Sequence, residues 1–136
     1  MTKDLYGTAA ETKALLREGQ RYRRERWRAA DMVTVDEAAS LMNVNSLVIE
    51  NWIRSSRCIG LPGPEGTMRV PRWQFEPSIW PSIRSVGQAL GTHDPWQILD
   101  FLETSAPALE ALTARVALEQ GMPIARVLAA ATGDRH

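Results

Sequence analysis

Val33 to Arg57 reads VTVDEAASLMNVNSLVIENWIRSSR, the spacing of two short helices joined by a tight turn. Such a unit, the helix-turn-helix, lays its second helix into the major groove of DNA. Ala39 falls where the first helix must be thin for the second to cross it closely. Asn43, four residues later, stands at the turn, where a left-handed backbone favours Gly and Asn is the usual substitute. Val44, Ile49 and Trp52 then recur at the interval that fills the angle between crossed helices, and Asn45 or Ser46 is placed to cap the second one.

The outer face of that second helix carries Asn45, Ser46, Leu47, Glu50, Asn51 and Arg54. Asn51 has the chemistry for a bidentate contact to adenine, and Arg54 for guanine or a phosphate. Glu50 opposes the phosphate backbone unless it meets a cytosine amino group or an arginine. A helical pair kept only for packing or for protein contact is the competing interpretation.

After the pair comes CIGLPGPEGTMRVPRWQF, Cys58 to Phe75, which is punctuated by Gly and Pro and so excluded from helix. Ile59 to Leu61 and Met68 to Val70 can pair as a short hairpin, a wing beside the reading helix. Arg57, Arg69 and Arg72 are then candidates for phosphate or minor-groove contact, unless the segment is a plain connector. Trp73 and Phe75, straddling Gln74 at strand spacing, read as anchors of that hairpin.

Upstream, Thr8 to Ala30 contains good helix formers and no proline, with Gly19 its weakest point. From Lys13 to Arg28 it carries seven cations against Glu18 and Glu25. RYRRERWR, Arg21 to Arg28, is open to three interpretations: a phosphate-gripping helix, an exposed helix with paired charges, or a dimer arm. Downstream, helices are expected over Ile79–Leu90, Asp94–Leu102, Pro107–Gln120 and Pro123–Ala131, with frayed residues from Gly133 to His136. The expected fold is mainly α: a helix-turn-helix with a short wing-like β-hairpin, followed by a small C-terminal helical bundle. Its divisions are a basic arm at 1–30, the helix-turn-helix and hairpin at 31–76, and a partner-binding region at 77–136.

Composition narrows the function. A formal charge of zero excludes a strongly basic nucleic-acid coat but not a local basic surface. One cysteine, Cys58, forms no internal disulfide, and no Cys/His spacing suggests zinc, so neither metal nor cofactor is expected. GPEG at 63–66 lacks the Lys of a phosphate loop, and His93–Asp94 has no nucleophile near it in sequence, so an enzyme is not expected. No apolar run suits a membrane span and the N-terminus does not resemble a signal peptide, so a cytoplasmic protein is expected. Five tryptophans offer much apolar area, either for the core or for a partner groove.

Three stretches together resemble the Xre/MbcA/ParS-like antitoxin family: the helix-turn-helix ending WIRSSR with its Gly/Pro hairpin, then IWPSIRSVGQALGTHDPWQILDFL, then LEALTARVALEQGMPIARVLAAA. The resemblance covers Val33 to Ala131. It implies a cytoplasmic repressor of its own promoter that also neutralises a RES-type toxin; a homodimer is expected separately, because one short reading helix covers few base pairs. It further implies that Trp96, Phe101, Leu102, Gly121, Val127 and Leu128 face the toxin or support that face. The chain departs from the family at Thr113-Ala114, where relatives often have Thr-Pro, and in its arginine-rich N-terminal helix. The alternative function is a helical adaptor that binds a protein and no DNA.

Overall fold

The computed structural model describes residues 8–134; of the residues expected to fray, Gly133 ends the last helix and Asp134 caps it, while Arg135 and His136 lie outside the described residues. Two compact units result, Met1–Ala30 and Asp31–His136, so residues on both sides of position 76/77 belong to the second unit. The first holds helix α1, Ala9–Trp27. Thr8 and Glu11 start it reciprocally: Thr8 Oγ1 accepts from the Glu11 amide at 3.1 Å and Glu11 Oε2 from the Thr8 amide at 3.0 Å. No residue of α1 is buried.

The second unit opens with a strand that the sequence did not suggest, β1 at Met32–Thr34. Helices α2 (Val35–Met42) and α3 (Ser46–Arg54) follow, then β2 (Leu61–Pro62) and β3 (Met68–Pro71). The antiparallel sheet has the order β1-β3-β2, with Val33 opposite Val70 and Leu61 opposite Arg69. Thr34 ends β1 and caps α2, again with a reciprocal bond to an acidic partner, Glu37, three residues on. Asn43 is left-handed, φ 54° and ψ 47°, and Asn45 caps α3 by accepting from the Val48 amide at 3.1 Å. Replacing Asn43 with Ala should lower the unfolding free energy by about 1 kcal/mol, with Gly neutral or better, as read from urea midpoints.

Ala38, Ala39, Ile49, Cys58 and Val70 form the core under the sheet, with Val33, Val44, Trp52 and Trp80 packed against it. Trp80 lies beyond the hairpin, yet its ring sits 5.0 Å from Trp52 and 5.2 Å from Phe75. Arg72–Phe75 is a 3-10 turn rather than strand, so Trp73 and Phe75 do not alternate about Gln74; Gln74 itself is fully buried.

The C-terminal helices are α4 (Ile83–Leu90), α5 (Pro95–Glu103), α6 (Ala114–Glu119) and α7 (Ile124–Gly133). Two expected helices come out shorter. Trp80–Ser82 is a 3-10 turn, in keeping with Pro81, whose ring disfavours the α conformation of the preceding residue, Trp80. Pro107–Gln120 breaks in the middle: Pro107–Leu109 is a 3-10 turn, and Glu110 and Ala111 are left-handed at φ 58° and 64°. A bridge between Ser105 and Thr113 closes this loop, and Thr113 caps α6 by accepting from the Val116 amide. The break lets Leu109 and Ala114, both fully buried, enter the same core. In that core α4 packs on α7, and Gly87 lets α5 approach: a Cβ there would lie 3.1 Å from Ile98 Cδ1.

Candidate nucleic-acid interface

Helix α3 is anchored along one side by Ile49, which is fully buried, and by the half-buried Trp52 and Ile53. Its opposite side exposes Leu47, Glu50, Asn51 and Arg54, with Leu47 65% accessible. Asn51 and Arg54 act as a pair, since Arg54 Nη2 donates to Asn51 Oδ1. The first two residues of the expected reading set hold the motif together as well as lining it. Asn45 caps α3, and the Ser46 hydroxyl donates to Asp36 Oδ1 at the start of α2. Within α3 itself the exposed candidates are therefore Leu47, Glu50, Asn51 and Arg54.

Arg57 follows α3, exposed, with its guanidinium 5.3 Å from the Trp52 ring. Arg69 sits elsewhere than at a wing tip: it is half-buried in β3, the central strand, opposite Thr34 and Leu61. The tip, Gly63 to Thr67, carries Pro64, Glu65 and Gly66 and no cation. Hydrogen bonds from Thr34 hold the Glu37 carboxyl below its ordinary pKa, and Arg69 and Arg72 add to that. Arg69 thus serves the start of α2 electrostatically, which a contact to DNA would have to share.

Behind the hairpin lies a contact that the sequence does not announce. The Gln74 side chain mimics a strand: its amide donates to the Ile59 carbonyl at 2.9 Å, and its carbonyl accepts from the Ile59 amide at 2.7 Å. A cavity of about 230 Å³ opens beside this segment, lined by Ile53, Cys58, Met68, His93 and Ile98 among others. At its edge His93 Nδ1 lies 3.1 Å from Ser56 Oγ. Asp94 uses its carboxylate to cap α5, accepting from the Trp96 amide at 3.0 Å. Gly60 leaves room for Ile53: a Cβ would fall 2.8 Å from Ile53 Cδ1, so a larger residue needs that side chain to shift.

Burial pushes the Cys58 thiol up to about 12, so it stays protonated, the reverse of an activated nucleophile. Alkylation by iodoacetamide near pH 8 should be slow in the folded chain and fast in urea. The sign of the linkage is also set: the unfolded thiol ionises first, near pH ~8.5, so stability declines from there up to the folded value. A native alkylation rate equal to the unfolded rate would show the thiol to be open to solvent.

The C-terminal residues implied by the antitoxin resemblance divide sharply. Leu102 and Val127 are fully buried, so these two support the helices and cannot face a partner while the core is closed; Phe101 is nearly buried but lines the groove between α5 and α7. Trp96 and Leu128 are half-buried, and Gly121 is an exposed left-handed turn residue at φ 86° between α6 and α7. One accessible feature of this half is a groove of about 620 Å³ between α5, the Pro107 turn and α7. Ala106, Pro107, Ala129 and Ala130 contribute apolar lining, and Asp100, Arg126 and Asp134 are the charged residues along it. Across the unit, Arg115 lies 4.7 Å over the Trp73 ring, whose buried Nε1 has no hydrogen-bond partner.

Among the described residues no cluster of His, Cys, Asp and Glu is arranged to hold a metal ion, and no helix is long and apolar enough to cross a membrane. No protein-family model, no curated protein and no solved structure matches the chain.

Proposed function

We propose that this chain is a cytoplasmic DNA-binding transcription regulator that acts as a homodimer, with α3 as the reading helix. The observation that carries this reading is the division of α3 into a buried side and a largely polar exposed side: Ile49 is fully buried, while Glu50, Asn51 and Arg54 are exposed with Leu47. Asn51 suits adenine, Arg54 suits guanine, and Glu50 suits the amino group of cytosine. Arg57 lies where a phosphate contact would fix the register of the helix. A helix of nine residues reads few base pairs, so two copies on symmetric half-sites are the economical arrangement.

Following the antitoxin resemblance, the proposed target is the chain's own promoter, and the proposed second partner is a RES-type toxin bound by the C-terminal helices. The groove between α5 and α7 supports a protein-binding role for that region. The role throughout is binding rather than catalysis. The test is fluorescence anisotropy with DNA from upstream of the chain's own gene, against an unrelated duplex of equal length at near-physiological salt. Preference for the upstream duplex supports the reading; equal binding that vanishes with salt overturns it. Glu50 and the acidic balance of residues 31–136 favour the second reading, an adaptor without DNA affinity, which a complete lack of binding would select.

A further inference from the structure

We infer that one face of α1 is a binding surface for the phosphate backbone of duplex DNA, an inference that rests on the DNA-binding reading above. Lys13, Arg17, Arg21, Arg24 and Arg28 follow one another at steps of four, four, three and four residues. All five are exposed. At 3.6 residues per turn they fall within about 80° of the helix circumference and extend along about 22 Å of its axis. Over that length one strand of a duplex presents about six phosphates. The acidic residues are set apart: Glu11, Glu18 and Glu25 recur every seven residues and form a separate strip. Arg21 reaches Glu25 at 3.9 Å with both side chains largely exposed, a contact that a phosphate displaces at little cost.

Charge partition gives this face its importance. Residues 1–30 hold eight cations and four carboxylates, a formal net of +4, whereas residues 31–136 hold eight and twelve, a net of −4. The unit that carries the reading helix therefore repels a polyanion as a whole. Its outward face has one cation, Arg54, next to Glu50. Base contacts on that face can discriminate between sequences, but beyond the single phosphate contact of Arg57 the salt-sensitive part of the affinity has to come from elsewhere, and α1 supplies the cations in one row. An anionic lipid surface fits less well. The apolar side of α1, Leu15, Leu16 and Tyr22, is interrupted by Thr12, Gly19 and Arg26, too sparse for an interfacial helix.

The experiment uses the full chain, with Lys13→Gln, Arg17→Gln, Arg21→Gln, Arg24→Gln and Arg28→Gln combined. A second variant carries Lys at the four arginine positions. Gln and Lys match Arg closely in helix propensity, and far-UV circular dichroism checks that α1 persists. Affinity for the upstream and unrelated duplexes is measured from about 50 to 200 mM salt. Five phosphate contacts contribute about 4.5 to the slope of log K against log salt, a factor of about 10²–10³ over that range. The Gln variant should lose that slope and most of its low-salt affinity on both duplexes, and the Lys variant should keep them. An unchanged slope in the Gln variant overturns the inference, and if the upstream duplex is still preferred the reading by α3 stands. Slope lost with no preference in the wild type leaves the α1 surface standing and sinks the reading by α3. Wild-type binding to anionic vesicles, with none to either duplex, overturns both.

Discussion

Gln74→Leu should lower the unfolding free energy by about 3 kcal/mol. Leu fills nearly the same volume, so the loss comes from hydrogen bonding rather than from a cavity. Gln74 is fully buried and satisfies both the amide and the carbonyl of Ile59. Removing it leaves the buried Ile59 amide without a partner and the Ile59 carbonyl with only the weak Cys58 thiol donor at 3.7 Å, and a buried backbone group that loses its partner costs about 1–3 kcal/mol. Because Gln74 fastens Cys58 and Ile59 behind the sheet, the same variant should expose the Cys58 thiol and speed its alkylation. Gln74→Glu adds a sign check. A protonated carboxyl can still donate to the Ile59 carbonyl, whereas a carboxylate there is buried without a counter-charge. That variant should be closest to wild type at acidic pH and lose stability as pH rises through the raised folded pKa of the glutamic acid. The measurement is urea unfolding with unchanged m, and a loss below about 0.5 kcal/mol for Gln74→Leu would show that the contact holds nothing in place.

The second large effect concerns recognition. Arg54→Ala should weaken binding to the preferred duplex by about 1–3 kcal/mol, roughly 5- to 150-fold, with a much smaller loss on unrelated DNA. Arg54→Lys should restore little of this, since an ammonium cannot repeat a bidentate contact to guanine. Asn51→Ala should relax preference at a different base pair. The hydrogen bond between Arg54 and Asn51 makes the two losses non-additive, so the double variant should fall short of their sum. A loss from Arg54→Ala that is equal on all duplexes would assign this side chain to phosphate, leaving the bases to Asn51 and Glu50.

How far these features could be read from the residues alone depended on how local their causes are. Asn43, Ala39 and Ile49 declare the helix-turn-helix because a left-handed turn, a close crossing and a buried anchor each demand a residue type at a fixed interval. Strand β1 escaped notice because it is three residues long and its partner, β3, lies 37 residues away, Val33 opposite Val70. The break at Glu110 and Ala111 was invisible for a different reason. Both are ordinary helix formers, and the burial of Leu109, the Ser105–Thr113 bridge and the bond from the Ala111 amide to the Ala106 carbonyl at 3.0 Å hold them in a left-handed turn. Gln74 is a polar residue in a Gly/Pro-rich stretch, and nothing local marks it as the one that closes the chain onto Ile59. On the candidate surface, the outward positions Leu47, Asn51 and Arg54 follow from helical spacing. That Arg69 lies in the central strand, near Glu37, depends on sheet order, which spacing does not reveal.

Selection of bound duplexes from a random pool, with the full chain at near-physiological salt, asks whether α3 reads sequence without presupposing an operator. The expected result is one enriched motif in two symmetric half-sites, with an adenine and a guanine or cytosine whose enrichment disappears in Asn51→Ala and Arg54→Ala respectively. A pool that emerges without a motif, or a motif unaffected by both substitutions, would contradict the assignment of α3 as the reading helix.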